Sequence, residues 1–266
     1  LPVPPISEQE KIVAEYQSIE KKIKVNEQIC QKLEATAQAI YKEWFVEFNF
    51  PNEEGKPYKD NGGKMVWNEE LDKEVPEEWE VSNIGDEVET IGGGTPSTNR
   101  EEYWIDGDIL WFSPTDITNN DSIFIFDSAR HITQKGLNKS SANLFPAYSL
   151  MMTSRATIGK LAINTKKAST NQGFITLIPN NKLSVYFLYC WIKTQLSEIL
   201  SLSSGSTFSE ISRGNFRNLI ILKSNRKVHK DFDKTILSIF DNIKNKTKEN
   251  QKLTELKSLL LARMVK

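Results

Sequence analysis

ISEQEKIVAEYQSIEKKIKVNEQICQKLEATAQAIYKEW, residues 6–44, decides how this chain is built. Ile12, Tyr16, Ile19, Ile23, Asn26, Cys30, Leu33, Ala37, Ile40 and Trp44 recur at alternating spacings of four and three, which is an a/d coiled-coil seam. Ser7-x-x-Glu10 has the form of a capping box, and Pro4-Pro5 block backward extension, so a helix is expected to begin at about Glu8. At a rise of 1.5 Å per residue, roughly 40 residues make a rod about 60 Å long. A lone helix would expose this stripe to water, so a partner helix is required.

The partner lies in the same chain. A shift of 220 places Ile12, Tyr16, Ile19, Ile23, Leu33, Ile40 and Trp44 over Phe232, Ile236, Ile239, Ile243, Leu253, Leu260 and Met264. It also lays Gln31-Lys32-Leu33 over Gln251-Lys252-Leu253, so the sequence contains an internal repeat. The same shift sets Leu1 beside Ile221, at the end of the apolar run FRNLIIL. The chain opens at Leu1 without a Met and therefore reads as a fragment or a processed product.

Between the helices, residues 49–80 read as a linker, because Pro51, Gly55, Pro57, Gly62-Gly63 and Pro76 interrupt any period. Its aromatics Tyr58, Trp67 and Trp79 are expected to dock on a core. Residues 81–222 carry mostly strand signals: ILWF at 109–112, SIFIF at 122–126, YSLMMT at 148–153, GKLAI at 159–163 and GFITLI at 173–178. One helix is expected over Ser184–Leu202. The predicted architecture is an α+β domain over 81–222, set in the chain between long helices over 1–48 and 223–266.

Composition limits what such a protein does. With 38 % hydrophobic and 26 % charged residues the chain is an ordinary globular protein. Cys30 and Cys190 stand alone, so no disulfide framework or CxxC metal pair exists, and a reducing cytoplasm fits best. No apolar run is long enough for a transmembrane helix. Charge is uneven: residues 1–80 hold 10 basic against 18 acidic side chains, 81–222 hold 12 against 12, and 223–266 hold 12 against 5. No acidic residue occurs between Ser128 and Ser197, where Arg130, Lys135, Lys139, Arg155, Lys160, Lys166, Lys167, Lys182 and Lys193 all fall. A polyanion is the expected partner of that stretch.

Catalytic and cofactor patterns are missing. IGGGTPST, residues 91–98, lacks the Lys and hydroxyl that follow the last glycine of a phosphate loop, and the dinucleotide fingerprint fails at Ser97. His131 and His229 are too few for a zinc site or a Ser-His-Asp triad. Asp241 with Glu255-x-Lys257 has a nuclease-like order but falls on the heptad helix, where a solvated face explains it better. No methyltransferase motif occurs, since Pro4-Pro5 is followed by Ile6. What remains is a set of amide- and hydroxyl-rich loops: TSRA at 153–156, TNQG at 170–173 and GSTF at 205–208. Such side chains bond phosphate oxygens and base edges, and they equally cap turns inside a fold.

The order PPISEQEKI, IYKEWF, PEEWE, IGGGTPST, YWIDGDILWFSPTDI, TSRATIGKLAI, STNQGF, GSTFSEIS and ENQKLTELKSLLL resembles the DNA-specificity subunit, HsdS, of type I restriction-modification systems, through nearly the whole chain. The resemblance implies a target-recognition domain over 81–222, with the two long helices paired as an antiparallel coiled coil. Such subunits carry two recognition domains. This sequence reads as helix, second domain, helix, either the C-terminal half of a subunit or a half-subunit that dimerises.

The resemblance implies a non-catalytic chain that binds double-stranded DNA and reads one half of a split target. It docks methyltransferase subunits, which bring S-adenosylmethionine, and meets the restriction subunit through them; no cofactor is expected on the chain itself. Candidate DNA contacts are Thr95, Ser97, Arg100, Arg130, Asn138, Lys139, Arg155, Lys160, Asn171, Gln172, Ser206 and Thr207. GGGTPST becomes the opening loop of the domain, its glycines allowing positive φ and close backbone approach. Base choice is expected in the loops 113–121 and 130–145. The rival reading is a coiled-coil scaffold whose inserted domain binds a protein.

Overall fold

The computed structural model describes residues 5–203 and 209–263. In chain order the elements are α1 (Ile6–Phe45), β1 (Met65–Asn68), β2 (Lys73–Pro76), β3 (Glu80–Asn83), α2 (Ile84–Glu87), β4 (Glu89–Gly92), β5 (Ile109–Phe112) and α3 (Pro114–Thr118). There follow β6 (Phe124–Ile125), β7 (Arg130–Ile132), α4 (Gln134–Asn138), β8 (Leu150–Thr153), β9 (Leu161–Asn164), β10 (Ala168–Thr170) and β11 (Phe174–Ile178). The chain closes with α5 (Val185–Ser201), α6 (Arg213–Arg217), β12 (Ile220–Lys223) and α7 (Arg226–Arg263). It falls into two compact units, one formed by the residues up to Ala37 with those from Leu237, the other by Gln38–Ile236.

The first unit is an antiparallel helix pair. Glu20 meets Lys257 at 3.1 Å, Asn26 meets Asn250 at 2.8 Å, and the Cys30 thiol approaches the Ile243 carbonyl at 3.9 Å, so contacts climb one helix as they descend the other. Ile12, Ile243 and Leu260 are buried, whereas Tyr16, Ile19, Ile23, Leu33 and Leu253 are half-buried. Two helices leave one side of a seam open, so half-burial is what this geometry allows. A polar layer interrupts the seam: fully buried Asn26 donates its amide to Asn250 Oδ1 and to Glu249 Oε2 at 3.1 Å, and Asn250 donates to the Ile23 carbonyl at 3.3 Å.

Two details differ from expectation. The first helix starts at Ile6, with the Pro5 carbonyl accepting from the Glu8 and Gln9 amides, so Ser7 and Glu10 lie inside the helix and form no capping box. The fixed φ of proline already suits a helix entrance. Ile239 is half-buried and its neighbour Phe240 fully buried, because a 3.6-residue turn drifts off a strict 3.5-residue repeat. Met264, the last residue of the repeat, lies outside the described residues.

In the second unit, β4-β11-β8-β9-β6 make a five-stranded sheet and β10-β5-β7 a three-stranded one. The pairs β1-β2 and β3-β12 are two-stranded and antiparallel. Phe112, Phe145, Phe174, Met151, Ala162 and Ala168 belong to the core cluster between these layers. Each strand expected from an apolar run is found, although the run at 122–126 yields only Phe124–Ile125. Ser184 caps α5 by accepting from the Phe187 amide.

The ends of the long helices that belong to this unit form an aromatic cluster. Phe45 packs on Phe187, Phe232, Tyr41 and Trp79 with ring centroids between 4.9 and 5.6 Å apart. Ile40 is half-buried there, while Trp44 and Ile236 are buried. His229 lies in the same cluster, 4.6 Å from the Phe187 ring, and burial pushes its pKa down to about 4. Tyr58 and Trp79 both stack on Phe50, as docking aromatics should. Trp67 does not dock: it stands 61 % exposed on the β1-β2 hairpin.

Candidate nucleic-acid interface

Strand direction gathers the candidate loops. Gly92 ends β4 opposite Ile175 near the start of β11, Thr153 ends β8 opposite Phe174, and Leu161 opens β9 opposite Met152. Loops 93–97, 154–160 and 171–173 therefore leave one end of the five-stranded sheet. Phe112 and Thr170 are partners at the ends of the parallel strands β5 and β10, which adds the loop beginning at Ser113 to the same end. Arg130 opens β7 opposite Trp111 and joins them.

The glycines of GGGTPST serve close approach. A Cβ at Gly93 would lie 2.1 Å from the Asn171 carbonyl oxygen, and one at Gly94 would lie 2.3 Å from the Ser141 backbone. Neither glycine adopts positive φ, contrary to expectation: the lack of room for a Cβ is what requires glycine at both positions. Gly94 donates to the Thr170 carbonyl at 2.8 Å, and Thr95 donates its hydroxyl to Gln172 Oε1 at 2.7 Å. That bond turns the Gln172 amide nitrogen away from Thr95, on an exposed side chain.

Two tryptophans hold this loop and Arg130 together. Trp111 Nε1 donates to the Gly94 carbonyl at 2.9 Å, and Trp104 Nε1 donates to the Ser97 carbonyl at 3.1 Å. The Arg130 guanidinium lies 3.5 Å from the centroid of Trp104 and 5.6 Å from that of Trp111. A cation over an indole face is attracted by the ring quadrupole. Trp104 and Trp111 are not among the candidate contacts read from the sequence, where ILWF gave a strand signal and YWIDGDILWFSPTDI one motif of the resemblance; two indoles seven residues apart, each needing an N–H acceptor, were the available sign.

The remaining candidates divide. Lys160 is exposed and makes no ion pair among the described residues, and the same is true of Arg100. Arg155, by contrast, is already engaged: its Nε donates to Glu210 Oε1 at 2.8 Å, while backbone bonds from Ala156 to Ser209 and from Ile211 to Ser154 tie the two segments. Asn171 closes its own turn by accepting from the Gly173 amide. Asn138 accepts from Gln134 on α4, and Lys139 ends that helix. That helix follows Ile132, the end of β7 opposite to Arg130, and packs on residues 101–103, while the segment after it returns to the glycine loop, where Asn143 donates to the Gly92 carbonyl at 2.9 Å. Ser206 and Thr207 lie outside the described residues.

The acid-free stretch is acid-free in sequence only. Folding brings Glu102 within 3.0 Å of Lys135, Glu210 to Arg155, and Glu87 within 3.8 Å of Lys182. Lys139, Lys160, Lys166 and Lys167 keep uncompensated charge among the described residues. Of the nuclease-like trio, Asp241 pairs with Lys244 and Lys257 with Glu20. No group of three or more His, Cys, Asp or Glu able to hold a metal gathers among the described residues, and no described helix is long and apolar enough to cross a membrane.

Known proteins resemble this chain in sequence and in fold. The family model for the type I restriction modification DNA specificity domain matches residues 76–258. The MjaIX specificity subunit of Methanocaldococcus jannaschii is 37 % identical over 200 residues, covering 73 % of this chain and 46 % of that protein. The HindI specificity subunit of Haemophilus influenzae is 27 % identical across 100 % of this chain and 68 % of its own length. Among solved structures, the S subunit from M. genitalium superposes with a TM-score of 0.63 at 15 % identity, over 97 % of this chain and 61 % of that one. The HsdS subunit from Thermoanaerobacter tengcongensis gives 0.50 at 16 % identity, over 99 % and 59 %. The chain thus spans between about half and two thirds of these relatives. A match over most of its length settles the family: this chain belongs to the type I restriction modification DNA specificity domain family.

Proposed function

We propose that this chain reads one half of a bipartite DNA target for a type I restriction-modification system. The observation that carries the proposal is the convergence at one end of the sheets of loops with a locked backbone and unspent side-chain donors, those of Arg130, Gln172 and Lys160. Donors held in place and free of internal partners are what base edges and phosphates require. The chain itself performs no catalysis. The helix pair sets the spacing of the recognition domain and docks methyltransferase subunits, which hold S-adenosylmethionine, and the restriction subunit joins through them in the cytoplasm. If one copy supplies one half-site, two copies about a two-fold axis read an interrupted palindrome.

The test is a mobility shift with duplex DNA at low and high salt, with the methyltransferase subunits present, followed by mapping of methylated positions. Binding that weakens linearly on a log–log salt plot and directs methylation to one two-part sequence is expected. A chain that retains no DNA under these conditions and instead captures a protein through residues 81–222 is the scaffold of the rival reading.

A further inference from the structure

We infer that Arg130 reads a guanine, as a guanidinium fork aimed in advance by Trp104 and Trp111; this rests on the DNA-recognition reading above. Its position is fixed by the sheet, because Arg130 pairs with Trp111 in the β5-β7 register. One face of its guanidinium is covered by Trp104 at 3.5 Å, and Trp111 flanks it at 5.6 Å. The two indoles are themselves fixed, since each spends its N–H on a carbonyl of the loop 94–97. Stacking leaves the edge of the guanidinium free, and that edge carries the N–H donors. Among the described residues no carboxylate or other acceptor bonds it, and the side chain is exposed.

This geometry separates Arg130 from the other cations of the surface. Lys160 and Arg100 are exposed and lie over no ring among the described residues, which suits a phosphate contact that needs charge and little orientation. Arg155 is bound by Glu210. Arg130 alone among these four has a fixed plane and free donors, and a fixed planar fork matches the O6 and N7 acceptors of guanine in the major groove. The ordering of a long flexible side chain, a cost normally met on binding, is already complete before DNA arrives.

The full chain with its methyltransferase subunits is used to select duplexes from a pool with a randomised centre, and the selection is repeated with R130K and R130A. The parent is expected to select a fixed guanine that both variants cease to select. R130K should keep the parent's salt slope, because it retains charge and gives up only the fork. In the selected duplex, 7-deazaguanine at that position should weaken binding of the unaltered parent by about ten- to a hundredfold. This arm decides the matter even if a variant fails to fold. The inference is overturned if R130K still selects the guanine, if R130A flattens the salt slope by about one without relaxing any position, or if no 7-deazaguanine substitution weakens binding more than twofold. A parent that binds no DNA overturns the functional reading itself, which the three preceding outcomes leave standing.

Discussion

The helix pair and the loop end of the sheets treat polar side chains in opposite ways. In the pair they are spent internally: Asn26 bonds Asn250 and Glu249, Lys22 lies 3.6 Å from Glu249, and Lys257 bonds Glu20. At the loop end the backbone is locked while Arg130, Lys160 and the Gln172 amide nitrogen keep their donors. A surface whose polar groups already have partners gains little from a polar ligand, whereas a preordered set of free donors gains most. The contrast assigns spacing and register to the first region and recognition to the second.

The heaviest blow to this contrast falls on the seam. Ile243 is 1 % exposed, so Ile243→Asp places a carboxylate without a cationic partner in an apolar layer and should cost about 3–5 kcal/mol in urea unfolding. Ile23 is only half-buried, and Ile23→Asp can turn toward water; about half that loss is expected. Equal midpoints for parent and Ile243→Asp would mean that the pairing seen here contributes nothing to stability.

The second test sits in the aromatic cluster of the other unit. His229 has its pKa lowered from 6.5 to about 4 by burial, so the folded state binds fewer protons than the unfolded state between those values. Its contribution is fully present above pH 6.5 and shrinks as pH falls toward 4. The linkage amounts to about 2 kcal/mol lost at pH 5. His229→Leu should remove that part of the pH dependence, as measured by urea midpoints at pH 7.5 and pH 5; an unchanged slope with pH would place the imidazole in water.

What was legible in the sequence follows the same division. The helix seam could be read because burial imposes a period, and the strands ILWF and FITLI because both faces are covered. Polar strands could not. Ala168–Thr170 is wholly buried as β10, yet AST gives no strand signal, since its Ser169 hydroxyl finds the Leu110 carbonyl only after folding. The β1-β2 hairpin, with Val66 and Trp67 exposed and Val75 and Pro76 buried side by side, shows no alternation to read. At the candidate interface, Arg130, Gln172 and Lys160 could be proposed from residue type, but Arg155 looked identical to Arg130. The partners that separate them, Glu210 and Trp104, lie 55 and 26 positions away.

A third test addresses the polar layer. The Asn26 Oδ1 atom is buried without a hydrogen-bond partner, so the amide costs stability while its Nδ2 bonds fix one alignment of the helices. Asn26→Leu should leave stability unchanged or raise it by about 1 kcal/mol. The same change should permit shifted pairings, visible as extra species in native mass spectrometry or as doubled amide signals. A variant that is both less stable and uniform in pairing would make Asn26 a plain contributor to stability.

The smallest effects separate Lys160 from Arg155, which stand on the same loop. Arg155 and Glu210 are both substantially exposed, so their ion pair contributes about 0–1 kcal/mol to stability. Arg155→Ala should therefore lower the unfolding midpoint slightly and leave the salt dependence of DNA binding as it was, because the guanidinium is already neutralised. Lys160 has no acidic partner among the described residues. Lys160→Ala should leave the midpoint alone and flatten the log–log salt slope by about 0.9, the change expected when a single phosphate is no longer neutralised. The pattern is checked by measuring both quantities for both variants. If Arg155→Ala flattens the slope and Lys160→Ala does not, the Glu210 contact opens when DNA binds, and the distinction between spent and free side chains fails at this loop.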